Sequence, residues 1–258
     1  MPNKHGEFIW YELMTADAEG AKRFYDDVVG WRVGPAHDEI GYRMIEAGDG
    51  QVGGVLPLGS EMIAGGARPG WLGYIGVDEV DEAVAKLQSL GGAVHAPPRD
   101  IPGVGRFAMV ADPRGSAFYV MRGASEASSE AFSTKRDGHA MWNELTTSDL
   151  DAALDFYADL FGWEKGDAIP MGGEAGDYQF LNSGGETFGA AMEGSGDRPP
   201  GWTYCFRVPD IDEAHRRVSS AGGAPAHDPV QIPGGEWVFE ARDPEGARFY
   251  LGGPRKEK

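Results

Sequence analysis

The chain has 258 residues, which at about 100–200 residues per domain predicts two domains. It carries 41 acidic and 23 basic side chains, and the net charge of −18 argues against nucleic acid or an anionic membrane as a partner. The single cysteine, Cys205, excludes an internal disulfide and a cysteine-based zinc site. Because no stretch has the pattern of a leader or a bilayer span, we expect a soluble cytoplasmic protein.

In chain order, the first half alternates predicted strands and helices. A first helix carries Ala21, Phe24, Tyr25 and Val28 on one apolar face, and a second, over residues 80–90, stops at two glycines. Each half therefore contains two strand–helix–strand–strand–strand modules. Apolar runs between Gly, Pro and Asp turns predict the strands, around residues 8–15, 41–46, 51–58, 71–77, 93–96, 105–111 and 116–121.

The second half repeats the first. The segment WYELMTAD at residues 10–17 matches WNELTTSD at residues 142–149, and the Asp-Pro-x-Gly turn at residues 112–115 recurs at residues 243–246. So many ordered matches indicate a tandem duplication. We predict a first domain at residues 1–123, a linker at 124–136 and a second domain at 137–258.

The module order, the Phe-Tyr-x4-Gly-Trp segment that closes the first helix and the Asp-Pro-x-Gly turn before the last strand carry a resemblance. In both halves they resemble the vicinal oxygen chelate (VOC) superfamily, which includes glyoxalase I, bleomycin-resistance proteins and extradiol dioxygenases. The resemblance implies an α+β fold of paired βαβββ modules that form U-shaped mixed sheets, with two such domains in tandem. It implies a cleft in each domain, but not an activity, since the fold hosts both enzymes and binding proteins.

The period-two alternation of strand residues predicts which side chains face each cleft. In the first half the predicted ligand-binding residues are Trp10, Glu12, Leu72, Tyr74 and Tyr119. In the second half they are Trp142, Glu144, Thr203, Cys205, Arg207, Arg248 and Tyr250.

The resemblance also implies where a metal would be held in the family. Metal-binding members place a His or Gln on the first strand, a His on the fifth and a Glu on the last. An open catalytic site needs about three imidazole or carboxylate donors, so we expect neither a metal nor another cofactor. The corresponding positions here are Trp10, Leu72 and Tyr119 in the first half, and Trp142, Thr203 and Tyr250 in the second.

Glu12 is the best candidate for a catalytic residue, because a carboxylate beside aromatic rings in a cleft can act as a general acid or base. Glu144 is expected to have cationic partners in Arg207 and Arg248, whose first-half counterparts are Gly76 and Ala117. The alternative for both glutamates is a structural carboxylate that pairs with an arginine or a backbone N–H.

The leading hypothesis is a metal-independent, glyoxalase/bleomycin-resistance-like protein that binds a small organic molecule in a cleft of each domain. One alternative is a VOC-superfamily enzyme, a lyase, isomerase or dioxygenase, that uses Glu12 or a non-standard metal site. The other is a non-catalytic interaction or scaffold protein whose clefts are filled by their own aromatic side chains. The expected partner is a small-molecule ligand, with no nucleic acid and no membrane, and a homodimer is left open.

Overall fold

The structure is a computed structural model that describes residues 3–37, 39–48, 50–172, 176–194 and 200–256. The two halves repeat the predicted order of strands and helices. Among the described residues, no helix is long and apolar enough to cross a membrane.

The described residues of the first half contain eight strands and three helices. They are β1 (Phe8–Thr15), α1 (Ala18–Val28), β2 (Arg32–Val33), β3 (Arg43–Ala47), β4 (Gly50–Pro57), α2 (Ser60–Ala64), β5 (Gly70–Gly76), α3 (Val80–Ser89), β6 (Ala93–Ile101), β7 (Gly105–Ala111) and β8 (Ala117–Gly123). The sequence did not predict the short elements β2 and α2. It also ended β6 too early, because this strand continues through Pro97 and Pro98 at the edge of its sheet, where missing N–H donors are tolerated.

The described residues of the second half contain nine strands and two helices. They are β9 (Ala140–Thr147), α4 (Leu150–Phe161), β10 (Glu164–Pro170), β11 (Asp177–Ser183), β12 (Glu186–Glu193), β13 (Gly201–Arg207), α5 (Ile211–Ser220), β14 (Ala224–Pro225), β15 (Val230–Gln231), β16 (Trp237–Arg242) and β17 (Arg248–Gly253).

The chain divides into two compact units, and each unit contains segments of both halves of the sequence. The predicted boundaries at 1–123, 124–136 and 137–258 describe the sequence repeat and stay a prediction. Unit 1 comprises Met1–Ile9, Gly73–Ser129 and Trp142–Thr203, and unit 2 comprises Trp10–Leu72, Glu130–Met141 and Tyr204–Lys258.

Both units contain mixed β-structure. In unit 1 the strand orders are β5-β8-β7-β6 and β10-β11-β12-β9. In unit 2 they are β2-β3-β4-β1 and β13-β17-β16-β14, and β15 also pairs with β16. Parallel pairs such as β1 with β4 adjoin antiparallel pairs such as β3 with β4. The predicted α+β class with mixed sheets and repeated modules is confirmed.

Helix α1 shows why the repeat folds in this way. Its N-cap Asp17 accepts a hydrogen bond from the backbone N–H of Gly20 at 2.8 Å, which satisfies a donor that the first turn leaves unpaired. The predicted apolar face is buried in full, and its centre is Tyr25. Asp149 caps α4 in the same way, through the N–H of Ala152 at 3.1 Å.

In unit 2 the buried Tyr25 joins a tryptophan to an aspartate. Trp71 Nε1 donates to the Tyr25 hydroxyl at 2.9 Å, and that hydroxyl donates to Asp243 Oδ2 at 3.1 Å. Burial raises the pKa of Tyr25 well above its ordinary value, and burial also raises the pKa of Asp243. Since Asp243 belongs to the last Asp-Pro-x-Gly turn, the helix of one half is bonded to the turn of the other.

Unit 1 contains the reciprocal arrangement. Trp202 Nε1 donates to the Tyr157 hydroxyl at 3.0 Å, and Tyr157 donates to Asp112 Oδ2 at 3.1 Å. The duplicated tyrosines and aspartates are therefore exchanged between halves, so that each unit needs residues from both copies of the sequence.

A second reciprocal pair joins a tryptophan to a glycine at positive φ. In unit 2, Trp31 Nε1 donates to the carbonyl oxygen of Gly138 at 2.6 Å, and in unit 1, Trp163 Nε1 donates to that of Gly6 at 2.9 Å. The φ angles are +84° at Gly6 and +79° at Gly138, in the region that favours glycine.

Candidate functional site

Trp142, Tyr178 and Glu144 form a hydrogen-bonded chain in unit 1, the Trp–Tyr–Glu chain. Trp142 Nε1 donates to the Tyr178 hydroxyl at 2.8 Å, and this hydroxyl donates to Glu144 Oε2 at 2.9 Å. Glu144 is 9% exposed and lies on β9, opposite Ala190 of β12. Because an indole only donates and a carboxylate only accepts, the direction of both bonds is fixed and Glu144 is held in one orientation.

Unit 2 contains the counterpart on β1 and in the residue that precedes β3. Trp10 Nε1 donates to the Tyr42 hydroxyl at 3.0 Å. Glu12, 2% exposed, lies opposite Gly54 of β4. A Cβ on Gly54 would lie 1.9 Å from the Tyr42 hydroxyl oxygen, so the tyrosine occupies the space that a side chain would fill. Since paired residues point to the same face of a sheet, Tyr42 and Glu12 share that face.

The strand alternation did not indicate Tyr42 or Tyr178 as site residues. Tyr42 directly precedes β3 and Tyr178 is the second residue of β11. The segment before each differs in length between the copies, and this difference hides their equivalence. Alignment of β3 with β11 would have shown that both are tyrosine.

Strands β5, β8 and β7 of unit 1 carry a row of aromatic side chains, the aromatic row. Tyr74 and Tyr119 are register partners on β5 and β8, and their rings stack with centroids 4.1 Å apart and an interplanar angle of 18°. Phe107 adds a third ring, 5.9 Å from that of Tyr119. Both tyrosines are buried, so this face offers a ligand mainly apolar contact.

The equivalent strands of unit 2 present an ionic row instead. Cys205, Tyr250 and Glu240 are register partners across β13, β17 and β16. The Tyr250 hydroxyl donates to Glu240 Oε2 at 3.1 Å, and Arg248 Nε lies 3.1 Å from Glu240 Oε1. The carboxylate of Glu240 therefore contacts both Tyr250 and Arg248. No sequence pattern had indicated Glu240.

Arg207 also has acidic partners within unit 2. Its guanidinium forms an ion pair with Glu236, and its Nε lies 3.4 Å from Asp137 Oδ1. No sequence pattern had indicated Glu236 or Asp137. The expected pairing of Glu144 with Arg207 and Arg248 stays a prediction.

The residues at the family's metal positions do not fit a metal. Trp10 and Trp142 use their only nitrogen to donate a hydrogen bond, and Leu72 is a buried hydrocarbon. Thr203 is buried, Tyr119 is buried with its ring stacked on that of Tyr74, and Tyr250 donates to Glu240. Within the part of the chain that the structure describes, no group of three His, Cys, Asp or Glu side chains is arranged to hold a metal ion.

The burial of His139 leads us to expect that the free energy of unfolding depends on pH. It is 3% exposed, its Nδ1 lies 2.7 Å from the carbonyl oxygen of Glu130, and burial lowers its pKa below the ordinary value of 6.5. As the pH falls, the imidazole of His139 is protonated in the unfolded chain before it is protonated in the folded chain. The contribution of His139 to the free energy of unfolding is therefore full above pH 6.5 and decreases as the pH drops towards the lower folded pKa.

We therefore expect His139→Gln to flatten the loss of stability below pH 6.5. Urea unfolding at about pH 7.5 and about pH 5.5 measures the difference in the free energy of unfolding between the two pH values. His37→Gln, at an exposed histidine, is the control and should leave this difference unchanged. An equal difference for wild type and His139→Gln would contradict the prediction.

Comparison with known proteins agrees with this fold. The sequence model of the glyoxalase/bleomycin resistance protein/dioxygenase superfamily matches residues 8–120 and 138–251. The chain therefore belongs to this superfamily, as the duplicated motifs predicted.

Two relatives match nearly the whole chain. The protein named "Putative glyoxylase CFP32" of Mycobacterium tuberculosis is 31% identical and covers 95% of this chain and 94% of its own. The "Anthracycline biosynthesis protein DnrV" of Streptomyces peucetius is 29% identical and covers 95% of this chain and 92% of its own.

Solved structures share the fold. The 2,3-dioxygenase LapB from Pseudomonas sp. KL28 has a TM-score of 0.66 at 13% identity and covers 99% of this chain and 94% of its own. The Mn(II)-bound glyoxalase from Novosphingobium aromaticivorans has a TM-score of 0.64 at 18% identity and covers 98% of this chain and 83% of its own.

Proposed function

We propose that this protein binds a small, planar, hydroxyl-bearing aromatic molecule without a metal. The observation that carries the proposal is the Trp–Tyr–Glu chain, which holds the carboxylate of Glu144 in one orientation by a hydrogen bond from Tyr178. A carboxylate oxygen accepts a hydrogen bond from a phenol, and such charge-assisted bonds are among the stronger ones in proteins.

The surroundings of the chain favour an aromatic ligand. Phe180 lies 5.8 Å from the Trp142 ring and 5.9 Å from the Tyr178 ring, so aromatic edges and faces surround the polar groups. Aromatic walls with few oriented polar groups are typical of small-molecule sites. The name of the relative DnrV, a protein of anthracycline biosynthesis, is in line with a planar aromatic ligand.

Metal independence is supported by the donor set. The indole N–H groups of Trp10 and Trp142 each donate to a tyrosine, and neither can bind a cation while it does so. A carboxylate that binds a phenol needs no Lewis acid, so the residues present are sufficient for recognition.

Titration with 1,4-dihydroxyanthraquinone, followed by tryptophan fluorescence in buffer that contains a chelator, tests the proposal. We expect saturable binding to the wild type and a loss of about tenfold or more in affinity for Glu144→Gln, since a hydrogen bond to a charged group is removed. Tyr178→Phe should lose several-fold, because Glu144 is then no longer oriented.

The exposed Glu186→Gln, in the same unit and with the same change of charge, is the matched control and should bind like the wild type. Binding that disappears in chelator would refute metal independence. Equal affinities for Glu144→Gln and Glu186→Gln would refute the role of the Trp–Tyr–Glu chain.

A further inference from the structure

Arg248 in the ionic row has a buried donor that no described residue uses. Its side chain is 12% exposed, and its Nε lies 3.1 Å from Glu240 Oε1 as an ion pair. Nε and Nη2 are both buried, and among the described residues no acceptor lies in hydrogen-bonding geometry with either of them. A guanidinium carries five N–H donors in a planar fork, so one nearby carboxylate oxygen does not satisfy the group.

Two other well-buried arginines, Arg43 and Arg207, each have one buried donor without an acceptor among the described residues, their Nε, whereas Arg248 has two. Arg43 donates to the carbonyl oxygen of Gly34 and to Glu19. Arg207 pairs with two acids, Glu236 and Asp137. Because a buried charged donor without an acceptor is costly, the incomplete pairing of Arg248 calls for an acceptor from outside the chain.

The fold itself does not require the Arg248–Glu240 pair. At the corresponding positions of the first half, β8 carries Ala117 and β7 carries Met109, in the same register around Tyr119. The duplicated framework thus forms with an uncharged pair, which indicates that the charged pair of the second half serves recognition rather than folding.

We infer that Arg248 binds the carboxylate of a small organic acid, an inference that rests on the proposed small-molecule function. The planar fork of a guanidinium matches a planar carboxylate. Because Glu240 cancels the charge of Arg248, the pair does not attract anions by net charge, and a ligand gains chiefly from directional bonds to the planar fork. A planar carboxylate fits that fork better than a tetrahedral phosphate or sulfate. The aromatic ring of Tyr250 beside the arginine suits an aryl acid.

Ligand-observed NMR on the full chain with benzoate as the probe tests this inference, and neutral benzamide is the matched probe without charge. We expect saturable binding of benzoate, about tenfold tighter than that of benzamide. Arg248→Ala should abolish this preference, and so should the double variant Arg248→Ala/Glu240→Met, which installs the first-half pair and leaves no buried carboxylate without its arginine. The exposed Arg32→Ala should leave the preference unchanged.

Three results would overturn the inference. They are an unchanged preference for benzoate in the folded double variant, equal binding of benzoate and benzamide by the wild type, and full displacement of benzoate by equimolar sulfate. If 1,4-dihydroxyanthraquinone still binds in a Glu144-dependent manner, only the role of Arg248 is wrong. If the wild type binds none of these probes, the proposed function fails as well.

Discussion

Gly138→Ala is expected to lower the free energy of unfolding by about 3 kcal/mol. The φ angle of Gly138 is +79°, where an alanine costs about 1–2 kcal/mol. Its Cβ would also lie 2.7 Å from the Cβ of Ala47, closer than two carbons approach. The shift that relieves this clash displaces the carbonyl that accepts the hydrogen bond of Trp31, so conformational strain, overlap and a lost bond add together.

Urea denaturation measures the loss, and Gly30→Ala is the matched control. Gly30 has a φ of +83°, yet nothing lies within 4 Å of its prospective Cβ. It should therefore lose only the conformational part, about 1 kcal/mol. Equal losses for the two variants would show that the contact with Ala47 and the bond to Trp31 add nothing at Gly138.

Much of the fold was predictable because its signals are local or repeated. The spacing of Phe24 and Tyr25 identified a helix face, and the alternation along residues 8–15 identified a strand. Because the sequence is duplicated, the same pattern of strands and helices could be recognised independently in both halves. The superfamily followed from motifs that recur in the same order in each half. The extent of β6 was not predictable from its prolines, because their tolerance depends on which strand lies at an edge.

Of each pair of bonded residues in the site, the sequence predicted only one member. Alternation placed Trp10, Glu144 and Arg248 among the candidates, but their partners lie outside the strands that carry them. Tyr42 and Tyr178 are 32 and 34 residues away, and Glu240 lies on the neighbouring strand β16. A hydrogen bond between distant residues leaves no periodic signal in one chain.

The exchange between halves was hidden for a related reason. The Asp-Pro-x-Gly motif is explained by the turn that it forms, since Asp243 Oδ1 accepts from the backbone N–H groups of Glu245 and Ala247 at 3.0 and 2.8 Å. Nothing local shows that the other oxygen binds Tyr25. The same carboxylate therefore has a local task that the sequence reveals and a long-range task that it conceals.

Asp243→Ala separates these tasks and should cost about 4 kcal/mol in the free energy of unfolding, since two backbone N–H groups and the Tyr25 hydroxyl lose their acceptor. Asp243→Asn should cost far less, because its amide oxygen still accepts. Burial raises the pKa of Asp243, so the stability that this carboxyl contributes declines as the pH rises through its folded value, and the uncharged amide escapes that penalty.

A double-mutant cycle of Tyr25→Phe with Asp243→Asn, followed by urea unfolding, isolates the long-range bond and should give a coupling of about 1 kcal/mol. In unit 1 the cycle of Tyr157→Phe with Asp112→Asn is the internal control, because its hydroxyl-to-carboxylate distance is also 3.1 Å. Additive single effects in both cycles would mean that the turns alone require the two aspartates. Coupling in both would show that each helix is fixed to the turn of the other half, so that neither copy of the duplicated sequence completes its core alone.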